Sequence, residues 1–335
     1  MRPPHPDDDP ELRAHAAMPE MLADLGLPPT GWRATRLMRR TDPDLARAVL
    51  RCDHRAHPSL VIKAQTRPSD AAEHAGDVAY QRRAHDVFPH APDLSVPELV
   101  WEDPEGLACA LRYVEGEKGA PRLRRLAPAA RGDALRHLGR WFAALHGAGG
   151  VEAEPFHPRA SIARYREMAE AVRAGAARVA QRPVFLGAVA ELRRRAGALA
   201  EAGAPDSARV LPHGDAHLGN FLWGPDGRLW GYDLYPRGRS AAAQDVAKLL
   251  MDVTTVVHAP EDVEPGDPVP PATRAAFLEG YGAMEPDDPV LDLFCRAELV
   301  RILSTVPALP AQRSTGKART LARVLPVIRR VFGHA

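Results

Sequence analysis

The sequence lacks three features that are typical of proteins exported from the cytoplasm. Only three of the 335 residues are cysteines, and their wide spacing fits neither a disulfide framework nor a set of metal ligands. No apolar run is long enough to span a bilayer. The first residues are acidic and rich in proline, whereas a signal peptide is basic and then apolar. We therefore expect a soluble, cytoplasmic protein that has no membrane partner.

The sequence also lacks an excess of charge of either sign. Lysine and arginine number 44, aspartate and glutamate number 43, and the formal net charge is +1 at pH 7. No basic cluster dominates the chain, so nothing indicates a nucleic-acid partner. The length suits two domains or lobes around one cleft. Composition leaves the oligomeric state open between monomer and homodimer.

One stretch, residues 211–245, contains most of the chemically informative side chains. Within it, Gly-Pro-Asp-Gly at 224–227 predicts a turn, because proline presets φ and the final glycine accepts a positive φ. Apolar and aromatic residues flank the turn, as in a hairpin of two short buried strands. If the turn is centred between its second and third residues, Asn220 lies opposite Gly231, within one residue. Asp233 is then roughly 7–8 Å from Asn220 on the diagonal.

The loop before this hairpin contains Asp215 and Asn220 and is too short and polar for a regular element. An exposed carboxylate beside an amide oxygen, with a second carboxylate across the hairpin, crowds like charges. Such hard oxygen ligands suit Mg²⁺, which is usually held by one or two carboxylates together with substrate phosphates. Phosphoryl transfer needs the same metal ligands and one carboxylate that accepts the proton of the attacking hydroxyl.

The spacing His213-Gly214-Asp215-(four residues)-Asn220, followed by Asp233 after a hairpin, resembles the signature of the aminoglycoside phosphotransferase and choline kinase family. That family is similar in fold to protein kinases, whose catalytic loop has the same Asp and Asn at the same spacing. The resemblance implies that Asp215 is the catalytic base and that Asn220 and Asp233 bind Mg²⁺. It also implies that ATP or GTP is the co-substrate.

Other interpretations of this stretch remain open. His213, Asp215 and His217 alternate along the chain, as in a fragment of a zinc hydrolase, since imidazole and carboxylate both bind zinc. That hypothesis is disfavoured because alternating positions fit one metal badly without further histidine ligands nearby. Asp245 resembles a structural aspartate of the family, or it caps the helix that follows it. We interpret His213 and His146 as core residues that shape the structure around them.

A strand predicted at residues 60–64 carries a lysine that suits a phosphate site. Lys63 stands in a Val-Ile-Lys context, as does the lysine that pairs with the α and β phosphates in the kinase small lobe. Kinases orient this lysine with an acidic residue on the following helix, which we predict at residues 70–88. Glu73 and Asp77 lie one turn apart on that helix, and Glu73 is the preferred partner.

The loop predicted at residues 39–44, between the first two strands, contains no glycine. Nucleotide-covering loops in kinase-like folds are usually rich in glycine, so that backbone N–H groups approach the phosphates. Thr41 is the loop residue whose hydroxyl we expect to contact phosphate. Farther along, residues 111–116 resemble the hinge of the family. The backbone groups of Tyr113 and Val114 are then expected to bind the adenine edge.

Helices are predicted to dominate after the hinge. Residues 158–202 are predicted to form two helices with a break near Pro183. In the family that the chain resembles, such helices help to form the acceptor site. A loop at residues 259–271 contains four acidic residues, which favour a cationic substrate if the loop borders that site. The last helix, at residues 321–332, is expected to kink or split at Pro326.

The predicted fold is α+β and protein-kinase-like, with a small antiparallel-sheet lobe that has one helix and a larger, mostly helical lobe. We predict an N-terminal arm and helix at residues 1–29, a nucleotide-binding small lobe at 30–115, and a catalytic and acceptor-binding large lobe at 116–335. The predicted reaction moves the γ-phosphoryl group of ATP or GTP to a hydroxyl of a small aminoglycoside-, choline- or sugar-like molecule.

Two alternatives concern function as a whole. A protein kinase is disfavoured because the His-Gly-Asp loop is compact and no activation segment with a phosphosite is recognisable. A non-catalytic, nucleotide-binding regulatory protein with a kinase-like fold is favoured only by the glycine-free loop. The motifs alone leave the acceptor open among aminoglycosides, choline-like amino alcohols, sugars and amino-acid hydroxyls.

Overall fold

The computed structural model describes residues 9–88, 91–104, 107–203, 205–235 and 238–333. Contacts divide the chain into two compact units. The first unit runs to Gly116 and also includes Leu222–Leu234, and the second comprises Glu117–Phe221 and the chain from Tyr235 onward. Most of the predicted N-terminal arm, residues 1–8, lies outside the described residues. The predicted division into three segments stays a prediction.

The strands of the described chain, in order, are β1 Arg33–Thr41, β2 Ala46–Asp53, β3 Leu60–Arg67, β4 Leu94–Ser95, β5 Leu99–Glu102, β6 Ala108–Arg112, β7 Glu117–Lys118, β8 Glu152–Pro155, β9 Asp206–Val210, β10 Phe221–Trp223, β11 Leu229–Gly231 and β12 Ser240–Ala241. The helices are α1 Pro10–Asp24, α2 Ala71–Val87, α3 Gly119–Arg125, α4 Pro128–Ala148, α5 Pro158–Ser161, α6 Ala163–Arg173, α7 Arg182–Glu201, α8 Ala242–Val257, α9 Pro271–Tyr281, α10 Pro289–Ser304 and α11 Thr315–Phe332. Within these described ranges, no helix combines the length and the apolar character needed to cross a membrane.

A five-stranded antiparallel sheet forms the centre of the first unit, with strand order β1-β2-β3-β6-β5. Alternate residues of β2 are buried, and α1 packs against β2 and β3. The shared core contains Met21 and Leu22 from α1 together with Leu50, Leu60 and Ile62 from the sheet. Burial of each of the two helix side chains contributes about 1.5–3 kcal/mol. The helix is therefore part of the same compact unit as the sheet.

Strand β1 is longer than predicted. An exposed edge strand needs no alternation of apolar and polar residues, so the end of β1 lacked the pattern by which strands are predicted. Residues 39–41, predicted as loop, pair with residues 46–48 of β2. Almost every residue of β1 is exposed, so its polarity resembles that of a loop. The connection is a tight turn in which the N–H of Asp42 donates to the carbonyl of Leu45 at 2.9 Å. The predicted extent of the loop at residues 39–44 is wrong.

The second unit is mostly helical and has an aromatic core beside the loop at residues 211–220. Trp141 and Phe142 of α4 meet edge to face, with ring centroids 5.3 Å apart. Phe221 packs against both rings, at 5.1 and 5.7 Å between centroids. A three-stranded antiparallel sheet of order β12-β9-β8 belongs to the same unit. Its central strand, β9, leads directly into the loop.

The helical predictions for the second unit are largely confirmed. The stretch at residues 158–202 forms α5, α6 and α7, with a break between α6 and α7 and Pro183 in the first turn of α7. A proline is tolerated there because the first helical N–H groups have no partner within the helix. The last helix is one element, α11, that contains Pro326. The alternative of a split at that proline is wrong.

Helices α4 and α9 cross at close range because each contributes a glycine. A Cβ atom on Gly139 would lie 2.2 Å from the carbonyl oxygen of Phe277, and one on Gly280 would lie 2.1 Å from that of Arg136. Both obstacles are backbone atoms, which cannot move aside as the end of a flexible side chain can. The crossing holds α4, and with it His146, in a fixed position.

Replacing Gly280 with alanine is expected to lower the free energy of unfolding by about 1–3 kcal/mol, since the added methyl group overlaps the α4 backbone. The matched control is Gly132→Ala on α4, whose methyl group would lie 3.5 Å from the nearest atom, Nη1 of Arg136. Alanine there restricts the unfolded chain, so we expect a gain of about 0.4–1 kcal/mol. Urea unfolding followed by circular dichroism measures both values, and equal effects would contradict the close crossing.

Candidate functional site

The loop that follows β9 exposes the side chain of Asp215. This side chain is 64% exposed, and Nε2 of His217 lies 3.5 Å from its Oδ2 atom. The hydrogen bond from His217 lowers the pKa of Asp215 to about 2, although partial burial opposes this shift. His213 and Lys248 act electrostatically in the same direction as His217 and lower the pKa of Asp215 further. The carboxylate is therefore ionised at neutral pH and accessible to solvent.

Asn220 is oriented by a hydrogen bond to the backbone of Asp215. Its side-chain Nδ2 donates to the carbonyl oxygen of Asp215 at 2.9 Å, and its own N–H donates to the carbonyl of His217, also at 2.9 Å. Asn220 is 5% exposed, within a 3₁₀ turn at Leu218–Asn220. Because the amide nitrogen is used inside the loop, the amide oxygen is the atom left for a cation.

One face of α8 holds this loop in place through three charged side chains. Asp245 accepts hydrogen bonds from the backbone N–H groups of residues 213–214, and Asp252 accepts one from the N–H of Leu218 at 2.8 Å. Between them, Lys248 donates from Nζ to the carbonyl of Gly214. Spacings of three and seven residues place all three on one side of a helix. The sequence analysis missed Lys248 and Asp252, although charged residues at this spacing in an apolar helix were a signal.

Asp245 is buried and does not cap α8. It is 2% exposed, and its Oδ2 atom lies 3.3 Å from Nε2 of His146, whose Nδ1 lies 2.9 Å from the hydroxyl of Tyr281. Burial alone would raise the pKa of Asp245, but the hydrogen bond with His146 and nearby positive charges keep it below its usual value. The N-cap of α8 is Ala241, so the capping alternative is wrong. The core role predicted for His146 is confirmed.

His213 is a core residue, as predicted. Its ring is buried, with centroids 5.5 Å from Phe221 and 5.8 Å from Trp141. Its Nδ1 accepts a hydrogen bond from the N–H of Asp215 at 3.4 Å. The part of the chain that the structure describes contains no group of three or more His, Cys, Asp or Glu residues that could hold a metal ion. This geometry weighs against the zinc hydrolase hypothesis.

In the first unit, Lys63 forms an ion pair with Asp233. Lys63 lies within the sheet, opposite Val49 of β2 and Cys109 of β6. Its Nζ atom contacts Oδ1 of Asp233. Burial opposes the charge of Lys63, yet the carboxylate of Asp233 raises the pKa of the lysine above its usual value. The structure thus brings together the residue predicted to bind phosphate and the carboxylate predicted to bind metal.

Asp233 follows a hairpin whose turn is shifted slightly from the prediction. The N–H of Gly224 donates to the carbonyl of Arg228 at 2.8 Å, which centres the turn on Asp226. Gly227 has a φ of 82°, as the turn motif predicted. Asp233 itself has a φ of 59°, in the left-handed region, which non-glycine residues seldom adopt. Its surroundings must therefore hold this backbone conformation in place.

Two residues predicted to assist nucleotide binding, Thr41 and Glu73, are exposed. Thr41 ends β1. Glu73 lies in the first turn of α2, where its N–H donates to the capping side chain of Asp70 at 3.1 Å. The charge with the greatest effect on the pKa of Lys63 is that of Asp233, and Glu73 is not among the groups that shift it most. The predicted roles of Thr41 and Glu73 stay predictions.

The helix α2 turns His74, the residue after Glu73, towards the core. His74 is 8% exposed, and burial lowers its pKa from the usual 6.5. The unfolded chain therefore binds a proton before the folded protein does as the pH falls below about 6.5. The loss of stability from this one group therefore grows as the pH falls from about 6.5 to the folded-state pKa of His74, and it persists at lower pH.

Stability between pH 7 and pH 5 is expected to depend on His74, by at most about 1.4 kcal/mol per pH unit for a single proton. His74→Leu removes the titrating group, so its free energy of unfolding should fall less steeply with decreasing pH than that of the wild type. His85→Leu, at a partly exposed position of the same helix, should retain the wild-type slope. Urea unfolding at several pH values measures the slopes, and a wild-type slope in His74→Leu would refute this account.

The predicted hinge residues directly follow β6. The N–H of Tyr113 donates to the carbonyl of Ser59 at 2.9 Å, which leaves the carbonyl of Tyr113 and the backbone of Val114 for the predicted contact with adenine. Gly116 lies against the hairpin: a Cβ atom at this position would be 2.6 Å from the carbonyl oxygen of Trp223. A glycine is therefore required at the end of the hinge.

The chain is similar to known phosphotransferases and kinases in both sequence and structure. A profile of the phosphotransferase enzyme family matches residues 24–294. Spectinomycin phosphotransferase in complex with ADP and spectinomycin is 16% identical, with a TM-score of 0.55, over 89% of this chain and 92% of its own. Choline kinase from Cryptosporidium parvum is 11% identical, with a TM-score of 0.55, and the match covers 96% of this chain and 95% of the choline kinase chain. Glucosamine kinase in complex with glucosamine, ADP and inorganic phosphate is 18% identical, with a TM-score of 0.54. This match covers 98% of this chain and 82% of the glucosamine kinase chain. A comparison with curated protein sequences finds no match.

The family match covers most of the chain, from α1 into α10. At these low identities the solved structures establish the fold, which is the kinase-like α+β fold that the sequence predicted. The predicted family and fold are confirmed, and so is the prediction that the protein is an enzyme. The roles of individual site residues stay predictions. The chain belongs to the phosphotransferase enzyme family.

Proposed function

We propose that the protein transfers the γ-phosphoryl group of ATP or GTP to a hydroxyl group of a small molecule. The observation that carries this proposal is the geometry of the loop at residues 213–220. The loop exposes the ionised carboxylate of Asp215 and orients the amide of Asn220 with its oxygen away from the backbone contact. Anchors from α8 hold both residues before any substrate binds, which reduces the reorganisation needed during reaction.

Asp215 is proposed to orient the acceptor hydroxyl and to accept its proton. The acceptor oxygen forms a bond to the γ phosphorus while the bond from that phosphorus to the β–γ bridging oxygen breaks, and the nucleoside diphosphate leaves. A carboxylate with a pKa of about 2 is a weak base. In a loose transition state the nucleophile needs little activation, so we infer that Asp215 acts mainly by positioning the hydroxyl and takes up the proton late.

Mg²⁺ is the expected cofactor, and the donor groups of the chain fit it. Asn220 offers an amide oxygen, and Asp233 offers a carboxylate that is about half exposed and now paired with Lys63. Both are hard oxygen ligands of the kind that Mg²⁺ prefers. When bound, the ion would neutralise charge on the β and γ phosphates. Asn220 belongs to the second unit and Asp233 to the first, so a shared ion stays a prediction.

The remaining nucleotide contacts are assigned to the first unit. Lys63 is proposed to bind the α and β phosphates, which requires it to exchange the carboxylate of Asp233 for phosphate oxygens. Glu73 and Thr41 are proposed as exposed supporting contacts. The carbonyl of Tyr113 and the backbone of Val114 are proposed to bind the base. Spectinomycin phosphotransferase and glucosamine kinase have both been solved in complex with ADP, which supports ATP as the co-substrate and small hydroxyl compounds as acceptors.

We also infer that the enzyme works in the cytoplasm, as a monomer or homodimer, without a nucleic-acid or membrane partner. The three cysteines are all free and buried. Free thiols of this kind are typical of proteins that stay in a reducing compartment. The near-zero net charge gives no electrostatic reason for binding to a polyanion.

The alternative is a non-catalytic, nucleotide-binding regulatory protein with the same fold. One observation favours it: the connection between β1 and β2 is a tight, glycine-free turn around Asp42 and Leu45. Such a turn offers fewer backbone N–H groups to phosphates than a glycine-rich loop does. The alternative predicts binding of Mg-ATP without turnover.

The deciding experiment measures release of ADP or GDP by the purified protein with Mg-ATP or Mg-GTP. The panel of acceptors includes aminoglycosides, choline-like amino alcohols, sugars and hydroxy amino acids, each tested with and without EDTA. Turnover that depends on an acceptor and stops on metal removal supports the proposed function. Nucleotide binding in a thermal-shift titration without turnover on any acceptor would favour the regulatory alternative.

A further inference from the structure

A pocket of about 520 Å³ lies entirely within the second unit. Its walls come from β8, β9, β12, α5, α6, α8 and α10. Phe156 and Phe294 form an apolar wall, with ring centroids 5.5 Å apart. Ser207 and Ser240, from neighbouring strands, and Gln244 of α8 supply hydroxyl and amide groups. The volume and the mixture of apolar wall with a few polar groups are typical of sites for small molecules.

Most charged side chains of the pocket are already neutralised by ion pairs. The pairs are Arg209 with Glu154, Arg239 with Glu152, and Glu298 with Arg301. Arg239 also donates hydrogen bonds from its guanidinium to the backbone carbonyl groups of residues 149, 150 and 209. These arginines and carboxylates therefore shape the pocket and contribute little net charge to a ligand.

Arg164 is the exception among the charged residues of the pocket. Within the described residues no carboxylate pairs with it; its guanidinium carbon lies 4.6 Å from the ring centre of Tyr165, and its Nη2 atom donates a hydrogen bond to the hydroxyl of Tyr165. Tyr165 is buried, so its ring is a fixed platform for the guanidinium. The other N–H groups of the guanidinium take no part in this hydrogen bond, so they are available for hydrogen bonds to a carboxylate or phosphate.

Arg301 connects the pocket electrostatically with Asp215. Glu298 lines the pocket, and its carboxylate pairs with Arg301 one turn later on α10. The hydrogen bond with Glu298 raises the pKa of Arg301 most, with further contributions from Tyr165 and Asp215. Gln244, which lines the pocket, directly precedes Asp245, whose carboxylate accepts hydrogen bonds from the backbone N–H groups of residues 213–214. The pocket therefore lies next to the loop that carries the carboxylate proposed to receive the proton.

The acidic loop at residues 259–271 lies on the other side of α10. The carbonyl of Gly266 accepts a hydrogen bond from Arg296 at 2.6 Å, and its N–H donates to the carbonyl of Arg330 at 3.0 Å. Glu298 follows Arg296 by two residues, which places the two on opposite sides of a helix. The acidic loop therefore does not border this pocket, and the expectation that it favours a cationic substrate stays a prediction.

We propose that this pocket binds the acceptor of the phosphotransferase and that Arg164 selects acceptors which carry a carboxylate or phosphate group. The inference rests on the proposed function and adds the chemical class of the substrate. Arg164 binds the anionic group, and the two phenylalanine rings cover the carbon frame. Ser207, Ser240 and Gln244 are within the same cavity and bind further hydroxyl groups.

The test uses two sets of acceptors, each built on one carbon frame with a different charge. The hexose set is glucose 6-phosphate, glucuronate, glucose and glucosamine; the three-carbon set is glycerol phosphate, glycerate, glycerol and aminopropanediol. Steady-state release of ADP at saturating Mg-ATP gives kcat and KM for each. We expect the preferred compound to be anionic, with kcat/KM about tenfold or more above its neutral analogue. The phosphate and carboxylate members show which anion is preferred.

Arg164→Gln is expected to raise KM for the anionic acceptor about tenfold or more, with kcat nearly unchanged, and to leave the neutral analogue unaffected. Arg164→Lys keeps the charge but not the fork geometry, so it should recover part of the loss. The matched control is Arg166→Gln, on the same helix but outside the pocket. Preference for a cationic or neutral acceptor, or equal KM changes in Arg164→Gln and Arg166→Gln, would overturn the inference while leaving phosphotransfer established.

Failure of the proposed function is distinguished by direct binding. If none of the compounds is phosphorylated, isothermal titration calorimetry with the same compounds tests the pocket without turnover. Binding of an anionic compound that Arg164→Gln weakens and Arg166→Gln does not would support the pocket even though phosphotransfer had failed. The absence of binding of every anionic compound to the wild-type protein would overturn the inference.

Discussion

Asp215→Asn is expected to lower kcat for acceptor-dependent release of ADP by about 10²–10⁴-fold, the range for loss of a positioned general base. Asparagine has nearly the same shape as aspartate, but its amide cannot accept the proton of the hydroxyl. Because the side chain of Asp215 is 64% exposed, the substitution should leave the unfolding temperature nearly unchanged. Steady-state kinetics and a thermal melt on the same preparation measure the two effects separately.

The matched control for this variant is Asp226→Asn. Asp226 is an exposed aspartate at the tip of the hairpin, where its Oδ1 accepts the N–H of Arg228 at 3.0 Å. It has no assigned role in the reaction, so kcat is expected to stay within about twofold of the wild type. If Asp215→Asn keeps more than about a tenth of the wild-type kcat, the assignment of Asp215 as the proton acceptor is wrong.

Asp245→Ala is expected to reduce the free energy of unfolding by about 3–5 kcal/mol, the cost of removing one member of a buried charged network. The carboxylate accepts hydrogen bonds from the N–H groups of residues 213–214 and contacts His146. Its removal leaves these buried donors without a partner. It also releases the loop that holds Asp215, so activity should be lost together with stability.

Two further variants separate these effects. Asp133→Ala removes an exposed aspartate of α4 that pairs with Arg136 at 2.9 Å, and we expect a change below about 1 kcal/mol. Asp245→Asn retains the shape of the buried side chain, so it isolates the contribution of the charge and of the second acceptor oxygen. Circular dichroism melts provide the unfolding midpoints. A wild-type midpoint for Asp245→Asn would show that the buried charge has no part in stability.

Short-range chemistry explains why the candidate loop and the hairpin could be predicted from sequence. Turn residues act within four positions of one another, and the Asp-Asn spacing at 215 and 220 is local. The positive φ of Gly227 follows from the same local rules. The strand with Lys63 was also identifiable, because its apolar composition suits a buried strand. These features depend little on the rest of the chain.

The edge strand β1 shows where local polarity misleads. Residues 39–41 are polar because the strand is exposed along almost its whole length, and ion pairs such as Arg39 with Asp9 replace apolar contacts. An alternating apolar pattern arises only when one face of a strand is buried. The extent of β1 therefore depended on its position in the sheet, which sequence periodicity does not encode.

Contacts between distant segments were the least predictable part of the candidate site. Lys248 and Asp252 support a loop more than 30 residues away in sequence, and only the folded chain brings them together. The same holds for Lys63 and Asp233, which are 170 positions apart. The position of the acidic loop at residues 259–271 was unpredictable for the same reason, because its composition does not encode which side of α10 it contacts.

The attachment of the candidate loop to α8 also fixes how many residues the loop can contain. Asp245 and Asp252 are two helical turns apart, about 10 Å along the axis, and they hold the chain at residues 213–214 and at Leu218. Both anchors bind backbone groups, so most side chains between them can change without loosening the attachment. An inserted or deleted residue would instead move an N–H group away from its carboxylate. The attachment of this segment is thus tolerant of side-chain substitution and intolerant of any change in length.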